Sequence, residues 1–259
     1  MYLSKQWRES RIVSILAILS LALLFALVVK GATAIDTVHF DNRNYNGDFG
    51  SAFVPLFYVE AVLVGFWGWL IAGIGIGKNL GEDSGSFLLT RPHRRAWFLW
   101  SDWGYAMAQV AAIIVLTNLM IGLLMVHILH LMHLPAVVPL TEGVQSVSLF
   151  VMMILVSLGV LLFAGLIYSV SYFCTVLIQR TSGVMLGAGI FVGYLVLGAL
   201  VHHYYPGIHF PNLIMGLFNI DNHRFSGFSN DLAIKFIARA VITMVFPIAA
   251  QLILERSEI

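Results

Sequence analysis

The apolar residues of this chain gather in six long blocks divided by short polar segments. A helix rising 1.5 Å per residue needs about 20 apolar residues to cross roughly 30 Å of hydrocarbon. Six blocks meet that length, and each predicts a membrane helix: Ile12 to Thr33, Ala52 to Ile76, Trp103 to His127, Val147 to Gln179, Gly183 to Val201 and Leu232 to Leu254. The fourth is long enough to project two or three turns beyond the bilayer. Only Arg180, Thr181 and Ser182 separate it from the fifth, which predicts a tight helical hairpin.

Three polar segments carry most of the remaining information: Asp36 to Ser51, Gly77 to Asp102, and His202 to Asp231. Lysine and arginine concentrate in cytoplasmic loops of membrane proteins. With the N-terminus inside, Lys5, Arg8, Arg11, Lys78, Arg91, Arg94, Arg95, Arg180 and Arg256 fall on the cytoplasmic side. Lys30, Arg43, Arg224, Lys235 and Arg239 fall outside, and this balance puts both termini in the cytoplasm. The first block also has features of a secretory signal, since cations precede it and Ala32-Thr33-Ala34 ends it, but it is longer than the 7 to 15 residues of a usual signal core. The third segment holds Pro206, Gly207, Pro211, Gly216 and Gly227 around the apolar stretch Leu213 to Phe218. That mixture suits neither a spanning helix nor a solvated loop, and predicts a short re-entrant or interfacial pair of helices on the outer side.

Composition sharpens the class. Hydrophobic residues make up 59% of the chain and charged residues 10%, against about 25% charged in soluble domains. A mean hydropathy of +0.90 leaves no stretch for an independent soluble catalytic domain. The expectation is an all-α integral membrane protein with six transmembrane helices in one domain covering residues 1–259, embedded in a lipid bilayer. A net charge of +1 argues against a nucleic-acid partner, and the single cysteine, Cys174, excludes an intrachain disulfide.

The cytoplasmic segment Gly81-Glu82-Asp83-Ser84-Gly85-Ser86-Phe87-Leu88-Leu89-Thr90-Arg91-Pro92-His93-Arg94-Arg95 reads as a short amphipathic element. Glu82 and Asp83 suit the positive end of a helix dipole, and Pro92 stops the helix. Arg91, Arg94 and Arg95 can hold the surface to anionic headgroups, with Trp97, Trp100 and Trp103 at the depth of an aromatic belt. Physically this is a juxtamembrane anchor.

The segment also resembles the first cytoplasmic loop of ABC-2-type transporter permeases. In that family an acidic residue, a Gly-Ser or Gly-Thr pair, a Leu-Leu-Ser/Thr-x-Pro and an arginine follow the second membrane helix. Here these are Glu82, with Asp83 beside it, then Gly85-Ser86, Leu88-Leu89-Thr90-Arg91-Pro92, and Arg94 or Arg95. The likeness extends over the whole chain: six helices, both termini inside, the motif between helices two and three, and a half-inserted outer segment between helices five and six. It implies that the loop is a coupling helix docking on a separate ATP-binding subunit, which would hold the ATP and Mg. It further implies a second permease copy or a related permease as partner, an export role and a prokaryotic inner membrane. The stretch Tyr2 to Arg11, with Trp7, would match the family's amphipathic connecting helix.

No cofactor site and no ATP-binding loop is read in the chain itself. Gly73-Ile74-Gly75-Ile76-Gly77-Lys78-Asn79 lacks the glycine needed at Ala72 and the hydroxyl needed at Asn79. Gly73 and Gly77, and likewise Gly189 and Gly193, are read instead as small residues that let helices approach. No His-Glu-x-x-His or pair of embedded aspartates suggests an intramembrane enzyme. A permease and a non-transport anchoring or assembly subunit of a larger membrane complex remain the two alternatives, and the apolar interior would suit a lipid-like or amphipathic cargo better than a sugar.

Two sets of polar residues stand out within the apolar blocks. Glu60 lies inside the second, where an unpaired charge is costly, with Arg239 or Lys30 as the expected partner. The structural reading is a buried pair or a protonated carboxyl; the functional reading is a substrate or proton-coupling group. His127, His130 and His133 recur three apart near the outer end of the third block, a weak metal-ligand pattern with no carboxylate or thiol beside it. Histidine is a comfortable interfacial residue and needs no metal there, so a plain interfacial role is preferred to metal binding or pH sensing.

Overall fold

The computed structural model describes residues 11–23, 26, 45–73, 92–131, 137–141, 145–178, 182–204, 218–221, 224–228 and 232–256. In chain order these form α1 (Arg11–Leu23), α2 (Tyr45–Ala72), α3 (Pro92–Leu131), β1 (Val137–Thr141), β2 (Gln145–Ser148), α4 (Leu149–Ile178), α5 (Ser182–Tyr204), β3 (Phe218–Asp221), β4 (Arg224–Phe228) and α6 (Leu232–Arg256). Each of the six apolar blocks therefore contributes a helix. Three are long and apolar enough to cross a membrane: Ala96–His127 within α3, then α4 and α6. Arg11–Leu23, Val59–Ala72 and Ser182–Gly198 are shorter apolar helical stretches among the described residues.

α4 is the centre of the arrangement. It packs against α2, α3, α5 and α6, and 56% of its most apolar window is buried, against 44% for α3 and 28% for α6. Its start follows from sequence, since the Ser148 hydroxyl accepts a hydrogen bond from the Val151 amide at 3.3 Å, at the position where a helix N-cap satisfies an orphan donor. α3 opens with Pro92 in its first turn, where the missing amide hydrogen costs nothing. α6 keeps Pro247 in its interior, buried in the bundle.

Contacts along α4 fix the directions of its neighbours. Gly65 of α2 faces Phe163 and Ile167, and Gly68 faces Ala164 and Tyr168, so α2 runs with α4. Gly122 of α3 meets Met153 while the Trp103 indole reaches Ser169, so α3 runs against it. The bundle alternates up and down, and both hairpins lie at the end where α2, α4 and α6 begin. There β1 pairs antiparallel with β2 and β3 with β4, and β4 lies beside both α2 and β1.

The bundle is all-helical, as expected, and two short β-hairpins are added to it at one end. Phe218–Asp221 and Arg224–Phe228 pair as strands, while 205–217, where most of the expected pair of short helices falls, lies outside the described residues. The signal was present in the period-two alternation of Phe218-Asn219-Ile220-Asp221. The prolines and glycines around it pointed to a broken helix.

The glycines correct a second expectation. A Cβ on Gly189 or Gly193 would meet nothing within 4 Å among the described residues, so neither mediates a contact between the described helices. The close approach belongs to Gly183 and Gly187. A Cβ on Gly183 would collide with the Thr175 Cα and the Cys174 carbonyl, and one on Gly187 would lie 2.6 Å from the Ser171 Cα. Because α5 follows α4 after only three residues, 179–181, the two backbones touch along one seam of small residues. We expect Gly187→Ala to lower thermal stability by about 1–3 kcal/mol, the usual cost of overpacking, and Gly189→Ala to leave it within about 0.5 kcal/mol. Thermal unfolding of the detergent-solubilised protein checks this; equal effects at both positions would contradict the seam.

Candidate functional site at the base of the third helix

The loop singled out by the sequence meets the described structure at Pro92. Glu82, Asp83, Gly85, Ser86, Leu88, Leu89, Thr90 and Arg91 lie outside the described residues. Pro92, His93, Arg94 and Arg95 form the first turn of α3, which therefore starts 11 residues before the expected Trp103. At 40 residues α3 is roughly 60 Å long, twice the hydrocarbon thickness. Whatever displaces the loop acts on one end of a single continuous rod.

That end is fastened to the rest of the bundle. The Trp100 indole donates to Gln251 Oε1 at 2.7 Å, and Gln251 Nε2 in turn donates to Glu255 Oε1 at 2.7 Å, which ties α3 to the last turns of α6. Trp103 donates to Ser169 Oγ at 3.0 Å, and the Tyr172 hydroxyl donates to the Leu99 carbonyl at 3.1 Å, which tie it to α4. Trp100 and Trp103 meet edge to face, with ring centroids 5.8 Å apart. Of the three tryptophans expected in an interfacial belt, only Trp97 is exposed, at 63%. The other two turn inward and serve as ties. Asp102, buried at the same level, went unnoticed in the sequence because its neighbours Ser101 and Trp103 made it look like part of the polar loop.

A similar tie joins the base of α2 to α5, where the Trp69 indole donates to the Val184 carbonyl at 2.8 Å. Trp67 donates to Ser20 Oγ at 3.0 Å and fastens α1 to α2.

Of the intramembrane polar residues, Glu60 and Arg239 fall within the described structure. Glu60 is completely buried in α2, and neither carboxyl oxygen makes a hydrogen bond among the described residues. Arg239 is buried in α6 but does not hydrogen-bond Glu60. α2 and α6 both pack on α4, and the two residues lie at one depth within a helical turn: Glu60 stands five positions before Gly65, which faces Phe163, and Arg239 four before Thr243, which faces Gly165. Lys30 lies outside the described residues. The sequence reading missed Asn118, buried in α3 with neither amide atom hydrogen-bonded among the described residues, although an Asn in the run Val115-Leu116-Thr117-Asn118-Leu119 was a visible signal.

His127 and His130 lie exposed near the end of α3, and His133 falls outside the described residues. Among the described residues no three His, Cys, Asp or Glu side chains come together as a metal site would require.

Comparison with protein-family models, curated proteins and solved structures returns no match.

Two measurements follow from this geometry. Trp100→Phe removes the indole donor while keeping most of the ring, and should cost about 0.5–1.5 kcal/mol, the net worth of one hydrogen bond; an unchanged melting temperature would mean that the α3–α6 tie holds nothing. Glu60→Leu replaces an unsatisfied buried carboxyl with an apolar group of similar size and should raise stability by about 1–3 kcal/mol. A loss of stability would instead show that a polar partner, Lys30 foremost, reaches the carboxyl.

Proposed function

We propose that this chain is the membrane-spanning permease subunit of an ATP-driven transporter of the ABC-2 type, working with a separate ATP-binding subunit and a second permease. The observation that carries the reading is the Glu82 to Arg95 motif placed between the second and third helices. Continuity of its last residues, Pro92 to Arg95, with a 40-residue helix supports it, because a coupling element must pass displacement into the membrane. In this reading the ATPase binds the loop from the cytoplasm, and its closure on ATP pushes the first turn of α3. The ties from Trp100 to Gln251 and from Trp103 to Ser169 convert that push into a shift of α4 and α6 with α3, so that the base moves as one body. Both termini and the loop are cytoplasmic, in a prokaryotic inner membrane, with the six helices spanning it.

The test is purification of the tagged protein in mild detergent with an assay for co-purifying ATPase. Wild type is expected to carry an ATPase whose yield falls at least ten-fold in Glu82→Ala and Arg94→Glu variants that still fold. If no ATPase appears either without nucleotide or with trapped ATP, the chain is an anchoring or assembly subunit instead.

A further inference from the structure

Between α3 and α4 runs a groove of about 690 Å³. Its α3 rim, Val115, Leu119 and Leu123, is 64%, 58% and 64% exposed, so the groove opens sideways from the bundle, on two helices that are both long and apolar enough to cross a membrane. Its mouth lies at the hairpin end, between Val126 and Ser148, and its deep end between Ala111 and Leu161. These limits are 15 residues apart on α3 and 13 on α4, which at 1.5 Å per residue makes the groove about 20 Å long. Among the described residues the lining is apolar apart from three side chains, and none of them offers a polar group to a ligand along its length. The Asn118 amide atoms are buried beneath the surface, Ser157 donates its proton to the Met153 carbonyl of its own helix at 2.7 Å, and Ser148 stands at the mouth.

We propose that the groove holds one acyl chain of a membrane phospholipid, which enters at the hairpin end and runs extended along α3 and α4. The lining selects its chemistry. A peptide or a sugar would carry polar groups into hydrocarbon with nothing there to satisfy them, whereas an acyl chain has none and lies against the open side of the groove already. The mouth suits the other end of the same molecule. The Ser148 hydroxyl accepts from the Val151 amide at 3.3 Å, and a serine hydroxyl that accepts still has its proton to donate, here to an ester carbonyl. Length separates this chain from bulk lipid. One leaflet is about 15 Å of hydrocarbon, half of the roughly 30 Å core, so a groove of about 20 Å carries the chain past the midplane. Carbon–carbon bonds of about 1.5 Å advance an extended chain by about 1.25 Å each, so about 16 to 18 carbons fill the groove and about 12 carbons cover only about 14 Å of it. A short chain leaves the Ala111 end unfilled, and atoms lining a void lose their dispersion contacts. Gly122 lies partway along, where a Cβ would make only ordinary contact with Met153, at 3.7 Å, so a larger side chain there narrows the groove without striking the backbone of α4.

The proposal does not depend on an ATPase partner, so it stands or falls separately from the function proposed above. It is tested by reconstituting the protein in one bilayer with a trace of long-chain phosphatidylcholine that carries a photoreactive diazirine either at the end of one chain or beside its ester, and locating the labelled residues by mass spectrometry. The chain-end diazirine is expected to label the deep end, from Ala111 to Ile114 and from Leu158 to Leu161, and the ester-end diazirine Val126 and Leu149. Label at the deep end should fall about five-fold in Gly122→Phe, while Val192, exposed on α5 outside the groove, is labelled as before. In wild type, unlabelled long-chain phosphatidylcholine should compete for the deep end about three-fold better than the short-chain lipid, and the two should compete equally at Val192. No label at the deep end, equal competition there by both lipids, or deep labelling unchanged in a folded Gly122→Phe protein would each overturn the proposal.

Discussion

Everything in this fold is arranged around α4. Inside a bilayer the lipid tails are as apolar as leucine, so hydrophobicity that drives a soluble core together gives helices no reason to associate. What remains is close packing and hydrogen bonding between side chains, and α4 supplies both. Its partners approach through small residues, Gly65 and Gly68 on α2, Gly122 on α3, Gly183 and Gly187 on α5. Its own Ser169 and Tyr172 accept from and donate to α3. Tyr168 and Tyr172, both fully enclosed with ring centroids 5.7 Å apart, fill the volume between these contacts.

The polar ties are unevenly distributed along the bundle axis. Trp69 to Val184, Trp100 to Gln251, Trp103 to Ser169 and Tyr172 to Leu99 all lie at the end where α3 and α5 begin. Towards the other end the side chains that might have done the same work are unsatisfied: Glu60 and Asn118 make no hydrogen bond among the described residues. A tryptophan indole is well suited to the first role, since it buries a large apolar surface and carries one donor that finds a nearby acceptor. A lone carboxyl or amide in an apolar interior has the reverse balance, and burying it is costly unless a polar group outside the described residues reaches it.

How much of this was legible follows from which signals are local. Helix existence was, because about 20 consecutive apolar residues have few other fates, and the six blocks map onto six helices. The start of α3 was misjudged because the charged residues His93 to Arg95 made its first turn look like loop, although Pro92 is a good first helical residue. The packing glycines could not be chosen from sequence, since Gly183-x-x-x-Gly187 and Gly189-x-x-x-Gly193 share one pattern and only the short turn after α4 decides which pair faces it. No hydrogen bond joins Glu60 to Arg239, and this too lay beyond the sequence, because which way a side chain faces around a helix depends on neighbours that the sequence does not name.

The asymmetry of ties has a mechanical consequence. Among the described residues directional hydrogen bonds gather at the end where α3 and α5 begin, and such bonds resist shear more than apolar packing does, because apolar surfaces slide past one another without breaking any specific bond. α3 runs as one continuous helix of 40 residues, entering from the charged loop. A displacement of its first turn therefore reaches α6 through Trp100 and Gln251 and α4 through Trp103 and Ser169. Transmission from the base of α3 into its two neighbours thus follows from where these hydrogen bonds are.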